Sequence, residues 1–378
     1  MSLSSQMQKM LIQEAKEKRF PIAVNLELLP VCNLNCVMCY IRSDWETVKA
    51  LGGVKPVEEW LRIARELKKA GTLFLLLTGG EVFLYPQFKE LYIGLYQMGF
   101  SITINTNATL IQEETIEWLR QYPPKCISIS LYGASNETYE ALCGRKGMFD
   151  RVDRAVHLLA QNGIRFELKT MYTPLNVKDE EACYAYAEQF HVYYEAAGYS
   201  FPPFRKLQCT EQIRFSPEET AIFTLKTNLR LAGEQRAQQM VIDHLQKYED
   251  TRNLPGADIY GFTCGAGNSS CWITWQGRMT PCAMLYEPGT YPFETGFLPA
   301  WEELKHKCDQ ILLSKKCSYC EKRMVCTSCP AASCTEAGGF ECESPFHCEM
   351  TEVTLREMEK LVREWGLEDR IVRKGNKA

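Results

Sequence analysis

The chain has 378 residues, 46% hydrophobic and 24% charged, so it is long enough to bury a large core and is not typical of a disordered protein. Its 43 Lys and Arg side chains nearly balance 47 Asp and Glu, and a net charge of -4 gives no electrostatic case for nucleic acid or an anionic membrane as a partner. No apolar run approaches eighteen residues, and the first twenty residues predict an amphipathic helix instead of a secretory signal, so we expect a cytoplasmic protein.

Short β-rich apolar runs alternate with helical stretches from residue 21 to about residue 217. Strands are predicted at 21–29, 73–77, 101–105, 127–131, 165–172 and 211–215. Residues 56–70 give the clearest helical pattern, with Pro56 at the start and Gly71 as the stop. Residues 150–162 repeat that pattern, with Asp150 as a candidate N-cap.

Repeated strand–helix units require crossover connections and therefore a parallel sheet. Six units favour a partial (β/α)6 barrel, an α/β fold whose ligands collect at the carboxyl ends of the strands. The pattern divides the chain into an N-terminal helical segment (1–20), the barrel (21–217), a helical bridge (218–257), a small cysteine-rich domain (258–350) and a C-terminal helix with a tail (351–378).

Cysteine is used unusually often. The chain contains 18 cysteines, and eleven of them fall in the 85 residues from Cys264 to Cys348. A chain without an export signal is expected to stay reduced, so these residues indicate metal or iron–sulfur ligation more than disulfide bonds.

Three cysteines follow the first predicted strand directly: Cys32, Cys36 and Cys39. Three thiolates can ligate three irons of a cube and leave the fourth iron open. The spacing alone also permits a zinc site that lacks its fourth ligand, or buried structural thiols. The glycine pair Gly79–Gly80 and Glu81 follow the second predicted strand, and a zinc site would need no such element.

CxxxCxxC after strand one and GGE after strand two resemble the radical S-adenosylmethionine (SAM) superfamily, in which the open iron chelates the amino and carboxylate groups of SAM. The resemblance implies reductive cleavage of SAM to methionine and a 5′-deoxyadenosyl radical that abstracts hydrogen from the substrate. It implies cofactor contacts at Tyr40, Gly79, Gly80, Glu81, Asn107, Ser130, Arg145 and Lys169. Glu81 would accept from the methionyl ammonium and Arg145 would pair with the carboxylate. For Asn107, Ser130, Arg145 and Lys169, an equal alternative to cofactor binding is a structural role, as a hydrogen-bonded turn residue or a solvated charge.

The C-terminal cysteines resemble the SPASM extension of radical SAM enzymes, which holds auxiliary [4Fe-4S] clusters. By that resemblance, a nearer cluster would be held by Cys264, Cys271, Cys282 and Cys329, and a farther one by Cys317, Cys320, Cys326 and Cys348. Cys334 or Cys342 would be the substitute for Cys348, and zinc is the competing metal for CxxC pairs. The remaining thiols are expected to be small buried hydrophobes: Cys126, Cys143, Cys183, Cys209, Cys308, Cys334 and Cys342.

SPASM enzymes mostly modify peptides or protein side chains, so the resemblance implies an oxidoreductase that forms a crosslink or thioether, with auxiliary clusters accepting the electron. It also implies an external electron donor such as flavodoxin or ferredoxin, and it leaves room for a separate peptide-recognition protein. Formylglycine formation of the sulfatase-maturing type is an alternative, although Ala283 follows Cys282 where that subgroup carries an aspartate. The motifs also permit radical modification of a small metabolite, and the cysteines alone permit a non-enzymatic iron–sulfur or zinc protein. The sequence identifies no general base.

Overall fold

The computed structural model describes residues 3–202 and 213–372 of the chain. Its β-strands are β1 (Ala23–Glu27), β2 (Phe74–Thr78), β3 (Ser101–Thr106), β4 (Cys126–Ser130), β5 (Phe166–Met171), β6 (Tyr194–Ala197), β7 (Ser270–Ile273) and β8 (Met279–Thr280). Its α-helices are α1 (Leu3–Lys18), α2 (Trp45–Ala50), α3 (Val57–Lys69), α4 (Phe88–Gln97), α5 (Glu113–Gln121), α6 (Asn136–Cys143), α7 (Met148–Gln161), α8 (Glu180–Gln189), α9 (Pro217–Ala232), α10 (Glu234–Thr251), α11 (Pro292–Thr295), α12 (Phe297–Asp309), α13 (Lys315–Ser318), α14 (Pro330–Ala337) and α15 (Pro345–Glu364).

All eight strands of the described chain form one sheet, in the order β6-β5-β4-β3-β2-β1-β7-β8. The first six are parallel and lie in chain order, which confirms the predicted partial barrel of strand–helix units. The C-terminal region extends this sheet: β7 pairs in parallel with β1, and β8 returns antiparallel to β7. The cysteine-rich region is therefore joined to the barrel through a shared sheet.

The sixth strand lies earlier than predicted. It is β6, in which Tyr194 pairs with Leu168 of β5. Of the predicted strand 211–215, residues 211 and 212 lie outside the described residues and residues 213–215 are not in a strand. The prediction missed β6 because it is only four residues long and follows α8 closely.

The predicted helices are confirmed with shifted ends. Helix α3 begins after Pro56, its N-cap. Helix α7 begins at Met148 with Gly147 as its N-cap, so Asp150 lies in the first turn and is not the cap, where its charge still favours the helix N-terminus. None of the helices in the described ranges is long and apolar enough to cross a lipid bilayer.

Side chains alternate between the two faces of the sheet, as the pleat requires. Val24 and Leu26 of β1 are fully buried and belong to the same hydrophobic core as Trp60 of α3. Asn25 lies on the other face and lines a cavity with Thr103 at the beginnings of the strands. The outer face of the sheet therefore packs against helices, and the polar side chains collect inside the barrel.

Candidate active site

The three N-terminal cysteines lie on one loop after β1 and line the same cavity: Cys32, Cys36 and Cys39. The end of α6 fixes this loop, because the Asn35 amide donates to the Cys143 carbonyl at 2.8 Å and the Val37 amide donates to the Leu142 carbonyl at 2.9 Å. Burial raises the pKa of the Cys32 thiol to about 12, and the neighbouring thiols add to this rise. Iron binding would displace that proton.

The glycine pair after β2 clamps the cysteine loop. The Gly80 amide donates to the Leu29 carbonyl at 2.7 Å, and the Glu81 amide donates to the Val31 carbonyl at 2.9 Å. A Cβ atom at Gly79 would lie 2.4 Å from the Leu29 carbonyl oxygen, and one at Gly80 would lie 2.3 Å from that of Val31. Gly79 also has a φ of +153°, which side chains rarely permit. Both glycines are therefore needed for two backbones to approach closely, as predicted for this strand end.

The Glu81 carboxylate is bound by donors of the protein itself. It is fully buried and does not line the cavity; it accepts from the Thr106 hydroxyl at 2.7 Å, the Asn107 amide at 2.8 Å and the Phe83 amide at 3.2 Å. Burial raises its pKa, while these donors oppose the rise. Since three donors from the protein already occupy it, Glu81 ties the end of β2 to the end of β3 and is not exposed to a methionyl ammonium.

Asn107 links the turn after β3 to the cysteine loop. Its side-chain amide donates to the Asn33 side chain at 3.0 Å and lies 3.6 Å from the Cys32 sulfur. Its side-chain oxygen accepts from the Thr109 hydroxyl at 2.6 Å, and that hydroxyl in turn accepts from Asn33 at 2.8 Å. Asn107 lines the cavity, and its amide is directed at a predicted cluster ligand.

The cavity at the carboxyl ends of the strands has a volume of about 390 Å³. Of the predicted cofactor contacts, it is lined by Tyr40, Gly79, Gly80, Asn107 and Ser130. Sequence reasoning missed other lining residues: Asn105, Thr106, Tyr132, Tyr199 and Met284. The side-chain oxygen of Asn105 is buried and has no hydrogen-bond partner among the described residues, and Asn105 itself lines the cavity. The alternation of β3, which places Asn105 on the inner face with Thr103, was the available signal.

Two predicted contacts lie elsewhere. Arg145 is exposed on the turn between α6 and α7 and does not line the cavity. Lys169 of β5 is held between Glu167 at 3.2 Å and Glu195 at 3.4 Å, and it lines the separate cavity at the beginnings of the strands. The structure therefore does not bring these two cations to the predicted SAM site.

The structure brings the four predicted ligands of the farther cluster together. They line one cavity of about 240 Å³: Cys317, Cys320, Cys326 and Cys348. Burial raises the pKa of Cys317 to about 11, and the thiols of the other three contribute to the rise. Cys334 and Cys342 lie outside this cavity. Burial raises the pKa of Cys334, and the nearby Cys342 thiol adds to the rise. Neither residue is therefore placed as a substitute for Cys348.

The predicted ligands of the nearer cluster lie in two different environments. Burial raises the pKa of Cys329, and the nearby Cys264 thiol contributes. Cys282 begins the segment that carries Met284 into the active-site cavity. Cys271, in contrast, is fully buried in β7. Burial raises the pKa of its thiol, and the Cys308 thiol adds to the rise.

The other thiols are mostly buried, as predicted: Cys126, Cys143, Cys183 and Cys308. Cys334 and Cys342 are only half-buried, and Cys209 lies outside the described residues. Within residues 3–202 and 213–372, no group of three or more His, Cys, Asp or Glu side chains is close enough to hold a single metal ion. An iron–sulfur cube sets a wider spacing, because each iron takes its own thiolate.

The cysteine loop and most of the strand–helix units lie within a radical SAM domain. Residues 26–187 match the family model described as the Radical SAM superfamily, whose members use a [4Fe-4S] cluster and SAM. The chain is 24% identical over 343 residues to the AdoMet-dependent heme synthase of Methanosarcina barkeri, covering 86% of this chain and 96% of that relative.

Two further proteins resemble the chain. The subtilosin biosynthesis protein AlbA of Bacillus subtilis is 34% identical over 151 residues, which cover 40% of this chain and 33% of AlbA. The crystal structure of SuiB from Streptococcus suis superimposes with a TM-score of 0.67 at 18% identity, covering 90% of this chain and 81% of SuiB. The SuiB match supports the fold of nearly the whole chain.

Proposed function

We propose that this radical SAM enzyme oxidatively modifies a peptide or protein side chain, forming a crosslink or thioether. Cys32, Cys36 and Cys39 would hold the SAM-binding cluster, which supplies the 5′-deoxyadenosyl radical when it is reduced with SAM bound. Gly79 and Gly80 would present backbone carbonyls to the methionyl ammonium, because the Glu81 carboxylate is already occupied. The unpartnered Asn105 oxygen would accept from a hydroxyl or amide of SAM or of the substrate.

The observation that carries the proposal is the uncharged lining of the cavity. Among the described residues that line it, none is Asp, Glu, Lys, Arg or His. Thiol, hydroxyl, amide and aromatic groups suit a neutral peptide segment, because buried charges require partners. Three similar proteins support a peptide substrate. AlbA is named for the biosynthesis of the bacteriocin subtilosin, and SkfB for the maturation of a sporulation killing factor. SuiB has a crystal structure with its precursor peptide SuiA bound.

A second candidate is modification of an iron tetrapyrrole. It is favoured by the match to AdoMet-dependent heme synthase, which extends along nearly all of that relative. A substrate with several carboxylates would need cationic partners, and the described lining of the cavity supplies none. We therefore place this candidate second.

Formylglycine formation is less well supported. Ala283 stands where the sulfatase-maturing subgroup has its base, and no carboxylate from the described residues lines the cavity. The buried Glu81 does not substitute, because its oxygens accept from Thr106 and from two backbone amides.

The test follows the hydrogen atom. Reduced enzyme with SAM is incubated with cysteine-containing peptides made from perdeuterated amino acids, or with deuterated iron coproporphyrin, and 5′-deoxyadenosine is analysed by mass spectrometry. The proposal predicts deuterium in 5′-deoxyadenosine from a peptide and none from the porphyrin. Deuterium from the porphyrin alone would overturn the proposal in favour of the second candidate.

The proposed reaction also requires partners and further clusters. An external donor such as flavodoxin or ferredoxin would reduce the SAM-binding cluster, and a separate recognition protein would deliver the peptide. The cavity formed by Cys317, Cys320, Cys326 and Cys348 would hold the farther auxiliary cluster. An assay with flavodoxin that has been reduced by its reductase and NADPH checks the donor: SAM cleavage without dithionite is the expected result.

A further inference from the structure

The barrel contains a second cavity, at the beginnings of the strands. It has a volume of about 310 Å³, and it shares no lining residue with the cavity at the carboxyl ends of the strands. Residues of β1 to β5, or residues directly before these strands, form its walls. Its volume falls within the range of about 300–1,000 Å³ that is typical of small-molecule sites. The cavity is therefore large enough to hold a small organic ligand that is distinct from SAM and its substrate.

The walls of this cavity carry more positive than negative charge. They include three cations, Lys125, Arg165 and Lys169, and one carboxylate, Glu167. Lys169 has counter-ions, because its ammonium lies 3.2 Å from Glu167 and 3.4 Å from Glu195. Neither Lys125 nor Arg165 forms an ion pair with a carboxylate in residues 3–202 and 213–372. Two positive charges are thus left without a counter-ion in the described part of the chain.

The sheet holds these two cations close together at the beginnings of β4 and β5. Lys125 directly precedes β4, and its amide donates to the Ile102 carbonyl at 2.8 Å. Arg165 directly precedes β5, and its carbonyl accepts from the Ile127 amide at 2.9 Å. Burial and the charge of Arg165 lower the pKa of the Lys125 amine, while Glu167 makes the smallest contribution and acts in the opposite direction. An anion between the two cations would remove their repulsion.

The other contacts of these cations are neutral. The Lys125 ammonium lies 4.7 Å from the centroid of the Phe74 ring and 3.4 Å from the side-chain oxygen of Gln8 on α1. Arg165 is exposed, so its planar guanidinium can be reached from solvent. The Thr103 hydroxyl also lines the cavity and makes no hydrogen bond to any residue that the structure describes. The cavity therefore offers two charged donors and one neutral donor beside an aromatic wall.

We propose that the cavity at the beginnings of the strands binds a small organic anion, a phosphate monoester or a carboxylate, with its oxygens between Lys125 and Arg165. The guanidinium would bind two oxygens at once, the ammonium would supply a point charge, and the Thr103 hydroxyl would donate one hydrogen bond. The carbon atoms of the ligand would contact Phe74 and Leu76. Binding is non-covalent and transfers neither a proton nor an electron.

Calorimetric titration of the full-length, cluster-loaded protein tests the site. The probes are phenyl phosphate and benzoate, with neutral benzamide as the control. We expect saturable one-to-one binding of at least one anion, weaker at higher salt, and none of benzamide. Tighter binding of phenyl phosphate identifies a phosphate ester as the class of ligand, and tighter binding of benzoate identifies a carboxylate. If neither anion binds, or if benzamide binds equally well, the proposal is wrong.

Variants then locate the bound anion. Lys125→Met and Arg165→Gln should each weaken its binding by at least about tenfold, because each removes a charge-assisted hydrogen bond. Lys125→Arg keeps the charge and should retain binding, as should the control Lys89→Met at an exposed position on α4. Affinity that is unchanged in both Lys125→Met and Arg165→Gln would place the anion elsewhere and overturn the proposal.

A labelling experiment on the natural protein does not depend on any variant. The protein is treated with a limiting amount of acetic anhydride, and acetylation of Lys125 and Lys89 is followed by mass spectrometry. A bound anion favours the charged form of the amine, so a saturating probe should slow acetylation of Lys125 by more than about tenfold and leave Lys89 unchanged. Equal acetylation of Lys125 with and without the probe would contradict the proposed site.

Discussion

The two cysteine regions of this chain are built in different ways. The loop that we propose as the SAM-binding loop takes its thiols from residues 32–39, and backbone hydrogen bonds from Gly80 and Glu81 hold that loop in place. The farther C-terminal cavity collects its thiols from α13, the loops after it and α15, between residues 317 and 348. The difference is that a contiguous loop fixed by backbone contacts can be predicted from sequence, whereas thiols gathered from separate elements are ordered only by the fold around them.

Removing one thiol of the SAM-binding loop should give the largest effect. Cys36→Ala should reduce dithionite-dependent formation of 5′-deoxyadenosine below detection, because the cluster loses one of its three ligands. Cys126→Ala, at a thiol outside the cavity, is the control and should retain the activity. Undiminished SAM cleavage by Cys36→Ala would show that the cluster lies elsewhere.

Gly80→Ala tests the backbone clamp of this loop. The new Cβ atom would lie 2.3 Å from the Val31 carbonyl oxygen, so the cysteine loop must shift away from β2. A displacement of about 1 Å predicts a loss of about a hundredfold in 5′-deoxyadenosine formation. Gly339→Ala, whose Cβ would meet only the Cys342 sulfur at 3.3 Å, is the control. Equal rates for both variants would contradict the clamp.

Glu81→Gln tests the link between β2 and β3. A glutamine amide would place an NH₂ group against donors from Thr106 or Asn107, so we expect a loss of about 1–3 kcal/mol in the free energy of unfolding, measured with denaturant. Glu90→Gln, at an exposed position, should be neutral. An unchanged stability accompanied by weakened SAM binding would instead favour a direct contact between Glu81 and the cofactor.

Cys317→Ala tests the independence of the two regions. We expect the variant to lose about four of about twelve irons while SAM cleavage continues, because its cavity is separate from the SAM-binding cavity. Cys342→Ala, outside both cavities, should keep all the irons. Loss of SAM cleavage in proportion to iron would show that the two regions fold or function as one unit.

Arg145→Ala and Lys169→Met should have the smallest effects. Arg145 is exposed, and Lys169 is held by two glutamates away from the cavity, so SAM affinity measured by equilibrium binding should change by less than about twofold. A tenfold weaker affinity for Arg145→Ala would mean that this side chain reaches the cofactor in the bound state.

Five of the six barrel strands could be predicted from the sequence because each carries its own apolar pattern, whereas the four-residue β6 was too short to be recognised. The glycine pair and the three clustered thiols could be predicted because they occupy contiguous positions at strand ends. The role of Glu81 could not, since the donors that satisfy its carboxylate, Thr106 and Asn107, come from another strand. A sequence shows which polar groups need hydrogen-bond partners, but not which donors or acceptors the folded chain places beside them.

The C-terminal ligands were harder for a related reason. Two clusters need eight thiolates, and the sequence offers Cys271 as the eighth, but the alternation of β7 directs it into the core beside Cys308. The beginning of β7 cannot be located from its short apolar run alone, and a shift of one residue reverses the face of every side chain. Cys348 required the approach of α15 to α13, which no local pattern encodes.

The central claim is that the fourth iron held by the loop 32–39 binds SAM in the cavity at the carboxyl ends of the strands. Electron–nuclear double resonance of the reduced protein with SAM labelled with ¹⁵N at the methionyl amine tests it most directly. We predict a ¹⁵N coupling to the reduced cluster in the natural protein, and its loss in Cys36→Ala. A natural protein whose cluster is reduced but shows no ¹⁵N coupling would contradict this account.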